Sequence, residues 1–207
     1  MYEKGRVEAL SDGSFAIIMT ILVLEVPIPS DFQSKELFSF VSSILIFGIS
    51  FLILGNFWRK HFFIFRLTNL ISGKTITLNF LFLLVISIYP MMLKWILEDL
   101  SNSIPALSYT ALYIIISTIL NILISQVIHE TDNKKVKEKL DALLRERHEN
   151  SRGHCLQRSG RYIVMAVIMI IPFILSFFFP LISNILLVAV PLFFSLLDND
   201  ERFLQEH

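Results

Sequence analysis

The chain has 207 residues, 54% of them hydrophobic and only 17% charged, with a formal net charge of zero. A soluble domain carries about 25% charged residues, so this composition excludes a soluble globular enzyme and a disordered chain alike. Zero net charge and a single cysteine, Cys155, give no sign of a nucleic-acid partner or of a disulfide framework. The charges are also crowded, 15 of the 36 lying between Glu130 and Arg161, which leaves uncharged runs of membrane-spanning length elsewhere.

The first hydrophobic run, Phe15 to Leu24, has only ten uncharged residues and stops at Glu25, Pro27 and Pro29. A signal-peptide core is the competing reading, but Asp12 precedes the run and no small-residue cleavage site follows it. A helix started near Val7 reaches Glu25 in about 28 Å, enough to span. It then carries Ser11, Asp12, Ser14 and Thr20 inside the bilayer, which requires shielding by neighbouring helices or a water-filled cavity.

Five further spans follow. Leu37 to Trp58 holds 22 uncharged residues, Thr75 to Leu93 is uncharged and extends to about residue 97, and Ala106 to Ile128 holds 23. Tyr162 to Phe179 holds 18 and Leu181 to Leu197 holds 17. Each approaches the roughly 20 residues that a helix needs to cross the hydrocarbon, and backbone in lipid must bond within its own segment. The expected architecture is an all-α membrane protein of one domain with six helices, approximately 7–25, 37–58, 75–97, 106–128, 162–179 and 181–197. Pro172 and Pro191 kink the last two, and Pro180 turns the chain between them.

Lys and Arg orient the bundle. One side collects 16 of them, from the N-terminus, residues 59–74, residues 129–161 and the C-terminal tail; the other has only Lys35 and Lys94. The bias places both termini in the cytoplasm. Within residues 129–161, Val136, Leu140, Leu143 and Leu144 recur at helical spacing. This reads either as a cytosolic helical extension with solvated charges or as a regulatory, partner-binding helix.

At about 100° per residue, Leu10, Gly13, Ile17, Thr20, Ile21 and Leu24 form one stripe on the first helix, with Asp12 nearly opposite. Copies of this helix around an axis would stack Ile17, Ile21 and Leu24 into a hydrophobic constriction, which gates by dewetting, with Thr20 adding a ring of oxygens. Alternatively the stripe packs against other helices, and Thr20 bonds back to the carbonyl of Ala16. Asp12 needs a cation or several donors, and Arg6, Trp58, His61 and Asn79 can supply them. They form a network fixing the first helix, or Trp58, Arg59, Lys60 and His61 simply mark an interfacial belt. Enzyme and metal signatures are missing: there is no HExxH, GxSxG, Walker A or GxGxxG pattern, and the chain also lacks a GYG-type filter.

The stretch from Arg6 to Pro29, with Arg6 spaced three residues before Leu10-Ser11-Asp12, resembles the first-helix signature of the transmembrane protein 175 family of lysosomal potassium channels and their bacterial relatives. The family has Phe-Ser-Asp there, and Leu10 keeps the apolar character. Trp58-Arg-Lys-His61 is similar to the family's Trp-x-x-His at the end of helix two, and Leu78-Asn79 leading to Pro90 to its Leu-Asn-rich third helix. The resemblance implies a potassium-permeable channel whose central pore is lined by helix one, narrowest at Ile17 and then at Ile21 and Leu24. Thr20 falls where the family has a threonine tied to potassium preference. Arg6, Ser11 and Asp12 join the interhelical network, with Trp58 and His61 as partners. One six-helix repeat implies a homotetramer in the bacterial inner membrane, whose partners are its own copies, the bilayer and permeant K+, with no cofactor. The rival reading is a proton-coupled carrier or proton pathway using Asp12, Glu25 and His61.

Overall fold

In the computed structural model, residues 2–130 are described apart from 31, 32, 67, 69, 100 and 101, together with 185, 186, 188 and 189. The expected span 162–179, all but those four residues of the expected span 181–197, and most of the charged segment 129–161 lie outside them. Four helical segments among the described residues are long and apolar enough to cross a membrane: Gly5–Glu25, Glu36–Arg66, Gly73–Glu98 and Ile104–Glu130. The chain is a multi-pass membrane protein.

A two-residue strand, β1 (Tyr2–Glu3), leads into α1 (Gly5–Ile21), which tightens into a 3₁₀ turn over Leu22–Glu25. Val26 ends that turn in an extended conformation because the ring of Pro27 disfavours helical backbone before it. The second helix, α2 (Ser34–Arg66), runs two turns beyond Trp58. Arg59 and Lys60 interrupt the uncharged run but not the helix, since long cationic side chains reach out of the apolar zone while their backbone stays helical. Strand β2 (Leu70–Ile71) pairs antiparallel with β1, Tyr2 facing Ile71 and Glu3 facing Leu70.

The third span is two helices, α3 (Gly73–Ile86) and α4 (Tyr89–Glu98). Pro90 lies in the first turn of α4, where it has no N–H to return to the carbonyl of Ile86. Ser87 spans the break, its N–H on the carbonyl of Leu83 and its Oγ donating to the carbonyl of Leu84 at 2.7 Å. Finally α5 (Ser103–Glu130) starts with Asn102 Oδ1 accepting from the N–H of Ile104 and with Pro105 in the first turn, where a proline costs no helical bond.

The core is apolar and aromatic: Phe15 and Ile18 of α1 and Leu22 of its 3₁₀ turn join Ile46, Ile53, Leu54 and Phe57 of α2, Phe82 and Ile86 of α3, and Tyr109, Ile116 and Leu123 of α5. Hydroxyls along the spans bond back to the preceding turn, as in Ser50 to Ile46 at 2.7 Å and Thr110 to Ala106 at 2.9 Å. That is how a polar side chain is tolerated where water is absent. Tyr109 adds an interhelical bond, its Oη donating to Ser50 Oγ at 2.7 Å.

The ends of the bundle follow from contacts. The β1–β2 pair and the bonds of Glu130 to Ser72 gather the N-terminus, the α2–α3 connection and the end of α5 at one end. Glu25 meets Lys94 of α4 at 4.0 Å at the opposite end of α1. The sequence places the charge-rich side at the first end and Lys94 at the second.

Candidate functional site: the two faces of helix α1

One face of α1 faces inward. Ser11, Phe15, Ile18 and Leu22, at helical spacing, are all buried. Phe15 lies 5.9 Å, ring to ring, from both His61 and Phe82. His61 itself is stacked between Phe65 at 4.6 Å and Phe82 at 5.6 Å.

The polar groups on this face form a directed chain. Ser11 Oγ donates to the carbonyl of Val7 at 2.8 Å, so its oxygen is left to accept, and Asn79 Nδ2 donates to it at 3.0 Å. That fixes the amide of Asn79 with Oδ1 turned toward His61 Nε2, 2.7 Å away. Nε2 therefore carries the proton, because two acceptors would face each other otherwise. Three buried side chains from three helices, Ser11, His61 and Asn79, are mutually satisfied. A second link runs alongside, Trp58 Nε1 donating to Asp12 Oδ1 at 2.9 Å, with the indole stacked on Phe62 and Arg66 over the other ring. Arg6 is exposed and forms no hydrogen bond or ion pair among the described residues, so it stands apart from these links.

The other face is open among the described residues. Ile17 is 60% exposed and Leu24 78%, with Ile21, Gly13 and Thr20 also open. Thr20 Oγ1 donates to the carbonyls of Ala16 and Ile17 at 3.0 and 2.9 Å. With its proton turned into the helix, its lone pairs point outward.

Glu130 is a site that no sequence pattern announces. Its carboxylate receives Ser72 N–H at 3.0 Å, Ser72 Oγ, Thr75 Oγ1 at 2.8 Å and Gln126 Nε2 at 2.6 Å. Those donors lie up to 58 residues away, and only the capping character of Ser72 before α3 is visible locally.

This α-helical membrane protein thus turns one mixed apolar and hydroxyl face of α1 away from its core, and the proteins it is similar to are ion channels. The sequence profile of the endosomal/lysosomal potassium channel TMEM175 matches residues 6–90. A potassium channel of Chryseobacterium sp. (strain P1-3) is 31% identical over 145 residues, 69% of this chain and 75% of that protein. A potassium channel of Streptomyces collinus is 31% identical over 118 residues, covering 53% of this chain and 57% of the relative. The crystal structure of a lysosomal potassium-selective channel TMEM175 homolog from Chamaesiphon minutus superposes with a TM-score of 0.66 at 26% identity, over 95% of this chain and 98% of that one. The chain belongs to the TMEM175 family of potassium channels.

Proposed function

We propose that this chain forms a potassium-permeable cation channel in which α1 of each subunit lines a central pore, closed by rings of Ile17, Ile21 and Leu24. The observation that carries the reading is the open face of α1. Lipid alone does not suit it, because Gly13 and the hydroxyl of Thr20 are exposed among the isoleucines. Around a symmetry axis the same surface becomes a narrow, mostly dry constriction that widening wets and opens. Closed rings need several copies, and a homotetramer supplies four. Thr20, whose outward lone pairs can replace part of an ion's water shell, is the residue we assign to cation preference, in place of a glycine-rich carbonyl filter. Ser11, Asp12, Trp58, His61 and Asn79 hold α1 so that the opposite face meets the axis, and no cofactor takes part beside the permeant ion.

The proton-relay reading requires a wire between Asp12, His61 and Glu25. Asp12 is bonded to an indole N–H and His61 to an amide oxygen, neither of which carries a proton onward. Between Asp12 and Glu25 the buried side of α1 offers only Phe15, Ile18 and Leu22.

The test is the purified protein in potassium-loaded liposomes, with reversal potentials recorded under a potassium gradient, sodium exchange and stepped pH. A reversal near the potassium equilibrium value, unmoved by pH, is expected. Ile17→Asn then raises resting conductance, since a wetted ring is a lower barrier. A potential that follows the proton gradient, or an Ile17→Asn protein that fails to assemble, contradicts the pore assignment.

A further inference from the structure

We infer that Glu130, at the end of α5, is a positioning residue for the pore-facing helix α1. The inference rests on the proposed pore only for its effect on ion flow; the mechanical tie stands on its own contacts. Glu130 places an anion at the N-terminus of α3, where the backbone N–H of Ser72 and the hydroxyls of Ser72 and Thr75 converge on its two oxygens. Helix N-termini favour negative charge there, and hydrogen bonds to a carboxylate are stronger than neutral ones. Ser72 Oγ also accepts from the N–H of Thr75 at 3.2 Å, so the residue that Glu130 grips is the cap of α3 itself.

From that grip two short paths lead to α1. Ser72 follows β2 directly, and β2 pairs with β1, the strand that enters α1. Ile71 is fully buried opposite Tyr2, and Lys4 closes the junction by donating Nζ to the carbonyl of Phe65 while pairing with Glu8 at 3.4 Å. The second path runs along α3 itself. Asn79 stands one turn beyond Thr75 on the same buried face and donates to Ser11 of α1. Glu130 therefore sets the position of α3 at the point from which both the entry and the second turn of α1 are held. A carboxylate released from Ser72 would loosen the ribbon first and the angle of α1 with it.

The experiment compares wild type, Glu130→Ala, Glu130→Gln and Ser72→Ala as full-length reconstituted protein, by amide hydrogen exchange and by bilayer recording. Glu130→Ala is expected to speed exchange of residues 2–4 and 70–72 by about tenfold or more, the factor that losing a hydrogen bond to a charged group carries. Exchange in the middle of α2 and α5 stays at the wild-type rate. Open probability changes while the conductance of the open state does not, because the pore-facing side chains are untouched. Glu130→Gln, which keeps an acceptor oxygen, falls between, and Ser72→Ala in the Glu130→Ala background adds little, as expected for one shared interaction. Should Glu130→Ala fail to assemble, Ser72→Ala and Glu130→Gln carry the same test with smaller expected effects. Unchanged exchange at residues 2–4, or an increase spread evenly over all helices, overturns the assignment; so does a loosened ribbon with unaltered open probability. Failure of the pore reading appears instead in the reversal potential and in Ile17→Asn, with the exchange response of Glu130→Ala intact.

Discussion

The two faces of α1 are built from nearly the same residue types and have opposite fates. Ser11, Phe15, Ile18 and Leu22 go inward, while Gly13, Ile17, Thr20, Ile21 and Leu24 remain open, each face a line of large apolar residues with one hydroxyl. Hydrophobicity does not separate them. What separates them is complementarity: Ser11 has Asn79 to accept from, and Phe15 has two rings to meet, whereas Thr20 among the described residues bonds to its own helix. In a membrane, where exposing an isoleucine carries no hydrophobic penalty, packing and hydrogen bonds decide which side of a helix faces its neighbours.

The largest effect expected from that contrast is on stability. Phe15→Ala removes a fully buried ring and should cost about 3–5 kcal/mol, read as a lower melting temperature of the detergent-solubilised protein. Ile17→Ala, two positions away on the open face, should leave melting nearly unchanged and raise resting potassium flux. Equal losses of stability at the two positions would erase the distinction between the faces.

A smaller effect tests the directed hydrogen-bond chain. Asn79→Ala leaves His61 Nε2–H buried without an acceptor, a cost of about 1–3 kcal/mol. Replacing both partners, as Asn79→Leu with His61→Phe, should cost less than Asn79→Ala alone, since no stranded donor remains and Ser11 keeps its bond to Val7. A double variant worse than the single would mean that the stacking of His61 on Phe65 and Phe82, not the amide, is what fixes α1.

How far the sequence leads differs from residue to residue. Charge-free runs locate three of the four described spans, because lipid excludes charge whatever the fold, while the first is found only by extending a ten-residue run back through Asp12. The same logic ended the second span at Trp58, where the apolar zone stops, while α2 itself continues to Arg66. Pro90 signals the break between α3 and α4, yet the hydropathy on both sides reads as one continuous span. The stripe on α1 was visible as a pattern, but periodicity left open whether it meets neighbouring helices, and its exposure required the structure. The need of Asp12 for donors suggests Asn79, Trp58 and His61 as a group and the family resemblance supports Trp58 and His61, but nothing local in the sequence pairs residues 18 to 68 positions apart. Arg6, grouped with them on both grounds, is exposed. Glu130 was hidden for the opposite reason: it opens the most charged part of the chain, where one more carboxylate is unremarked.

The smallest expected effect concerns the ends of α1 rather than its faces. At the entry, backbone pairing, the bond from Lys4 to Phe65 and the Ser11–Asn79 contact all act within three turns. At the exit, Glu25 meets Lys94 at 4.0 Å with the lysine side chain more than half exposed. Ion pairs of that kind contribute about 0–1 kcal/mol, and salt screens them. Lys94→Gln should therefore shift melting little, and less still at high ionic strength. In polar tethers the exit is the weaker end, held otherwise by the packing of Leu22, and Leu24, the most exposed of the three proposed constriction residues, sits there in the 3₁₀ turn. If the constriction opens by movement at that end, Lys94→Gln raises open probability slightly at low salt and not at high salt. A salt-independent rise of the same size would show that Lys94 acts on α1 by packing against it and not by its charge.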